Sequence, residues 1–129
     1  MKRRIIITAS VFGALAVISG AFGAHGLQGL LSPRDMEIWY TGVQYQFYHT
    51  FALIALSTIT RLRTNLIKHI YFLFTVGIIL FSGSLYLLAC KDLLNWSWIA
   101  LVMGPVTPIG GLLFIGGWIT FGVAALKIK

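Results

Sequence analysis

The residues with chemistry to offer are gathered in one string, Thr41-Gly42-Val43-Gln44-Tyr45-Gln46-Phe47-Tyr48-His49-Thr50, set in an otherwise apolar stretch. On a helix, Gly42, Gln46, His49, Thr50, Leu53 and Ser57 share one side, Tyr45 borders it, and Phe47, Tyr48 and Phe51 point elsewhere. Polar groups are costly in hydrocarbon and need partners, so this stripe should face the interior of a helix bundle. Two functional chemistries fit it. One is a pocket that holds a lipid, a quinone or another apolar molecule by its polar head; the other is a proton-handling site built on the imidazole. The structural alternative is that His49 and Gln46 bond to other helices through Ser82, Ser84 or Tyr86.

His25 stands in Gly23-Ala24-His25-Gly26-Leu27, where flanking glycines allow the backbone to bend or to approach another group closely. A haem shared by His25 and His49 is opposed by depth, since His25 belongs at the outer boundary and His49 roughly 13 Å deeper by the helical rise. His69 belongs to the opposite end. No paired carboxylates lie within an apolar run, and no Ser-His-acid arrangement or Walker loop is present. Asp35, Glu37 and Asp92 read as cap or surface residues of loops. Cys90 is the only cysteine, so neither an intramolecular disulfide nor a thiolate cluster can form, and it reads as a small apolar filler near a helix end. No catalytic residue, metal ligand or cofactor site is expected.

The elements that must position these residues follow from the composition. The chain has 129 residues, enough for one domain, and is 58% hydrophobic and only 10% charged. Soluble domains carry about 25% charged residues, so this chain cannot cover itself with polar surface and lipid is its expected solvent. Its net charge of +7 comes from short basic clusters between apolar runs, a pattern of membrane anchors facing anionic lipid and not of a nucleic-acid interface. Four uncharged runs approach the roughly 20 residues needed to cross a bilayer, at about 5–24, 40–60, 70–90 and 106–126. The first is longer than the ~7–15 residues of a secretory signal core and is read as a retained helix.

Eight of the ten basic residues (Lys2, Arg3, Arg4, Arg61, Arg63, Lys68, Lys127 and Lys129) flank one end of these spans, leaving Arg34 and Lys91 at the other. By the positive-inside rule both termini and the middle loop are cytoplasmic. Ser32-Pro33 with Asp35 and Glu37 reads as a capped helix start leading into the second span. From Trp96 to Leu126 the apolar run overshoots the bilayer, and Gly104-Pro105 and Pro108 interrupt it. Residues 96–103 are therefore expected to form a short interfacial or partly re-entrant segment that turns at Gly104–Pro108 into the fourth span. Small residues recur on one face of the first span (Ala9, Gly13, Ala16, Gly20, Gly23) and along the fourth (Gly110, Gly111, Gly116, Gly117, Gly122), which suits close helix packing.

Four strings carry a family resemblance: Gly20-Ala21-Phe22-Gly23-Ala24-His25-Gly26-Leu27, Thr41 to Thr50, Phe81-Ser82-Gly83-Ser84-Leu85-Tyr86, and Gly104-Pro105-Val106-Thr107-Pro108-Ile109-Gly110-Gly111. In this order they resemble the YgdD/YwdK-type inner-membrane proteins, a bacterial family of unknown function with small relatives in animals. The resemblance covers nearly the whole chain and implies a compact four-helix protein of the bacterial cytoplasmic membrane, with no reaction to carry over. By topology the four strings converge on the outer end of the bundle, where they either build a pocket or lock the bundle shut. The candidate ligand-binding residues are His25, Gln46, His49, Ser82 and Tyr86. The expectation is thus an all-α, four-transmembrane-helix bundle in contact with membrane lipids, non-enzymatic, with a pocket for a lipid- or quinone-like molecule toward the outer leaflet. A subunit of an oligomeric transporter or channel, whether a homo-oligomer or part of a larger complex, and a membrane enzyme acting on an apolar substrate remain the alternatives.

Overall fold

Amides and carbonyls carried into hydrocarbon have no water to bond, and a chain this apolar satisfies them within helices. The computed structural model describes residues 1–128, and these form four helices: α1 (Lys2–His25), α2 (Pro33–Thr58), α3 (Thr64–Ala89) and α4 (Trp98–Leu126). The start of α2 follows the sequence signal, with the Ser32 hydroxyl accepting from the Asp35 amide and Pro33 in the first turn. α2, α3 and α4 each begin one or two turns before the corresponding apolar run. The run marks the stretch that suits hydrocarbon, whereas each helix is nucleated further out, among residues that suit an interface.

The helices pack antiparallel in sequence order. Between α1 and α2, Gly13 lies against Thr50, Gly20 against Val43 and Gly23 against Trp39, one number falling as the other rises. This is the small-residue face of α1, and with Ala9 and Ala16 buried beside it, it lets α2 approach closely. Between α3 and α4 the fit is reciprocal: Gly77 receives the ring of Phe114, and Gly117 receives the ring of Phe74. Gly110 packs directly on the backbone of Phe81. Met1 and Lys127 both lie beside the loop joining α2 and α3, so the start of α1 and the end of α4 share one end of the bundle.

One expectation fails. No turn occurs at Gly104–Pro108, because α4 runs unbroken from Trp98 through both prolines. Proline removes an amide and frees a carbonyl one turn back, but it does not by itself stop a helix that is held from the side. Here Thr107 donates to the Met103 carbonyl and bonds the Ser84 hydroxyl of α3, and Ile99 in the first turn of α4 is buried. The helix continues because α3 supports it between the prolines, through Ser84 and Thr107, and beyond them, where Gly110 packs on Phe81.

α1, α3 and α4 are long and apolar enough to cross a membrane. Large side chains such as Ile7, Val17 and Ile18 on α1 and Leu112, Ile119 and Val123 on α4 are exposed in continuous bands, which is the surface lipid requires. α2 is equally long, but its polar stripe lowers its hydropathy. It is also the most internally buried helix, packed between α1 and α3.

The glycine contacts give a direct test. A Cβ at Gly110 would fall within 2.8 Å of the Phe81 backbone, whereas one at Gly122 would meet nothing within 4 Å. Gly110→Ala should therefore destabilise the detergent-solubilised protein by about 1–3 kcal/mol through forced separation of α3 and α4. Gly122→Ala should be neutral or stabilising by up to about 1 kcal/mol. Thermal unfolding of both variants checks this, and equal effects would show that the α3–α4 contact is not as close as described.

Candidate functional site

All six residues of the α2 stripe, Gly42, Gln46, His49, Thr50, Leu53 and Ser57, are buried, and the polar ones are bonded. Thr50 and Ser57 bond back to the carbonyls of Gln46 and Ile54, a local solution that asks nothing of neighbouring helices. Gln46 reaches outward instead. Its Nε2 donates to the Phe12 carbonyl of α1 at 2.8 Å, and its Oε1 accepts from the Tyr86 hydroxyl of α3 at 2.7 Å. One amide thus joins three helices. Ser82 donates to the Gly42 carbonyl at 2.7 Å, one turn away on the same α2–α3 seam. Gly42 is required there, because a Cβ would fall 2.9 Å from the Tyr86 ring.

His49 belongs to a different neighbourhood. Trp118 of α4 donates its indole N–H to Nε2 at 3.0 Å, and Nδ1 lies 2.7 Å from the Tyr45 carbonyl. An indole can only donate, so Nε2 must accept and Nδ1 must carry the proton it gives to the carbonyl. The ring is therefore the neutral Nδ1–H tautomer with both nitrogens engaged. It stacks face to face on Phe114 with centroids 3.5 Å apart and meets Phe74 edge-on. In this arrangement the imidazole has no free lone pair for a metal or a substrate proton. His25 is the last residue of α1 and is exposed.

The five candidate residues are therefore not one cluster. Gln46 and Tyr86 touch, Ser82 lies beside them, His49 faces α4, and His25 stands apart at the end of α1. Among the described residues, no three of His, Cys, Asp and Glu are grouped so as to hold a metal ion.

Around Gln46 and Tyr86 the bundle is open. α1 and α3 meet where the hydroxyls of Thr8 and Tyr71 bond at 2.8 Å, with the Arg4 guanidinium over the Tyr71 ring. Further along they leave a groove of about 320 Å³ between them, walled by Phe12 and Leu15 on one side and Ile78 and Ile79 on the other. Gln46 and Tyr86 lie on its lining, as do Ser19 and Gly83. A Cβ at Gly83 would meet nothing within 4 Å, so this glycine leaves volume free. Gln46, only 4% exposed, keeps one N–H and one lone pair beyond the two bonds it makes. The groove can take an apolar body and offer its head one donor and one acceptor.

Some of the polar architecture could not be found from the helical stripe. Trp39 donates to the Ser19 carbonyl at 2.9 Å, and Trp118 is the partner of His49. Either could have been suspected only because a tryptophan N–H within an apolar helix must find an acceptor. Asp35 lies in the first turn of α2, as the capped start implied, but it was expected as a cap or surface residue and is instead buried, 5% exposed, and pairs with Lys91 at 3.4 Å. The start of α2 and the end of α3 lie side by side, and each charge suits the helix terminus that carries it. The isolated cation following α3 was the available clue.

Comparison with known proteins bears on the whole chain. The family model described as "Protein of unknown function (DUF423)" matches residues 19–111. The UPF0382 membrane protein YwdK of Bacillus subtilis is 38% identical over 124 residues, covering 95% of this chain and 95% of that protein. A UPF0382 membrane protein of Staphylococcus epidermidis is 39% identical over 122 residues, covering 95% and 94%. The UPF0382 inner membrane protein YgdD of Escherichia coli K12 is 36% identical over 129 residues, covering 99% and 93%. No solved structure matches the chain.

Two outcomes follow from the bonding. Tyr86→Phe and Gln46→Leu should each lower stability by about 0.5–2 kcal/mol, and the double variant by less than their sum, because they share one bond. Additive losses in unfolding measurements would remove that bond from the description. Nitrogen NMR of ring-labelled protein should show His49 as the neutral Nδ1–H tautomer, and Trp118→Phe should shift its Nε2 resonance. An Nε2–H tautomer would contradict the geometry.

Proposed function

The chain belongs to the DUF423 (UPF0382) family of bacterial inner-membrane proteins, and from that premise we propose that it is a non-enzymatic binding protein for a membrane-soluble molecule. The ligand class is an apolar body with a hydrogen-bonding head, such as a lipid or quinone, seated between α1 and α3. The observation that carries the reading is the Gln46–Tyr86 pair lining an apolar groove in which Gly83 leaves volume free. A carbonyl or hydroxyl head would accept the spare N–H of Gln46 or donate to the spare lone pair of its oxygen. Gln46 and Tyr86 are both neutral hydrogen-bonding side chains, which suits holding a polar head.

The placement in the bilayer is part of the same proposal. Among the described residues, seven of the basic side chains gather at the end that holds Met1 and Lys127, so that end is taken as cytoplasmic and α2 as a fourth span shielded by α1 and α3. α4, at 29 residues, is ~43 Å long against ~30 Å of hydrocarbon. The excess suits its first two turns lying in the outer interface, where the carbonyls of Leu101 and Gly104, freed by Pro105 and Pro108, can reach water or headgroups. The groove then opens sideways to lipid, from mid-bilayer toward the outer leaflet.

Native mass spectrometry of protein extracted gently from its own membrane tests the reading. A stoichiometric lipid or quinone should accompany the wild-type chain and be lost from Gly83→Leu, whose Cβ meets nothing within 4 Å and whose longer side chain takes up groove volume. An unliganded wild-type chain, or full retention of the ligand by a folded Gly83→Leu, would overturn the proposal.

A further inference from the structure

At the basic end a second concavity, distinct from the α1–α3 groove, has a volume of about 300 Å³ and is lined by Arg63, Thr64, Asn65, Leu66 and Lys127. Its two cations come from separate segments, Arg63 from the loop before α3 and Lys127 from the end of α4. The three acidic side chains of the sequence, Asp35, Glu37 and Asp92, belong to the opposite end of the bundle. Neither cation is among the ion pairs of the described residues. Thr64 and Asn65 add a hydroxyl and an amide to the same lining.

Next to Lys127, α4 presents an exposed apolar band through Leu126 (87% exposed), Val123 and Ile119. A charge-lined concavity above an apolar strip matches an amphiphile with an anionic head and acyl chains. We propose that this site binds the headgroup phosphate of one anionic phospholipid between Arg63 and Lys127, with its acyl chains lying along α4. Guanidinium and ammonium are the two side chains suited to phosphate, the first by paired hydrogen bonds and the second as a point charge. Two segments converging on one concavity specify a single bound molecule, which a diffuse basic fringe does not.

The test titrates the full-length, detergent-solubilised protein with phosphatidylglycerol and with phosphatidylcholine of the same acyl chains, read by native mass spectrometry. The wild-type chain should prefer phosphatidylglycerol, and Arg63→Gln/Lys127→Gln should weaken that binding by roughly tenfold or more. Arg3→Gln/Arg4→Gln removes the same charge from the same end but at a hollow that shares no residue with the concavity, and should change it by less than about threefold. Equal losses in the two double variants would assign the preference to diffuse charge and overturn the site. Equal binding of the two lipids would overturn it as well. Displacement of phosphatidylglycerol by millimolar inorganic phosphate would assign the concavity to a free anion and overturn the lipid reading. Because none of these variants touches the α1–α3 groove, the result is independent of what that groove holds.

Discussion

A polar group carried into hydrocarbon must find its partner inside the protein, and the whole bundle is arranged around how α2 meets that requirement. Thr50 and Ser57 meet it within α2 and leave the neighbours free. Gln46, His49 and the Gly42 carbonyl meet it across helices, so each of them fixes a neighbour in register. Gln46 sets α1 and α3 at once, Gly42 sets α3 through Ser82, and His49 sets α4 through Trp118. The glycines then decide how near each neighbour can come. Polar bonds choose the partner, and small residues choose the distance.

This division explains why one side of α2 carries candidate binding chemistry and the other does not. Toward α4, His49 is closed in by Phe114, Phe74 and the indole of Trp118, with no donor or acceptor left over. Toward α1 and α3, Gln46 uses only part of its capacity, and the two flanking helices do not close over it. Spare hydrogen-bonding capacity beside apolar space is what a ligand head needs, and in this fold it lies at Gln46.

Much of this was legible in the sequence. The stripe on α2 predicted which of its residues are buried, because a helix in lipid has few other ways to hide polar groups. The Ser32–Pro33 start and the small-residue face of α1 were legible for similarly local reasons. Depth and azimuth between helices were not. A helical wheel places His49 and Gln46 on one broad face, but they point about 60° apart and address different neighbours. Pro105 and Pro108 read as a break because the lateral support from Thr107 and Ser84 is invisible along a single segment. Asp35 read as an exposed acid at the start of α2 because its partner, Lys91, lies 56 positions away.

The uneven hydropathy of the helices also bears on how the protein enters a membrane. α1, α3 and α4 are long and apolar enough to cross a membrane, whereas the polar stripe of α2 lowers its hydropathy. Under the proposed topology, α2 becomes stable in the bilayer only once Phe12 of α1 and Tyr86 of α3 can take up its glutamine. Tyr86 lies near the end of α3, so nearly ninety residues must be synthesised before that partner exists. Under that topology the hairpin of α2 and α3 would enter the bilayer as a pair, against an α1 already in place.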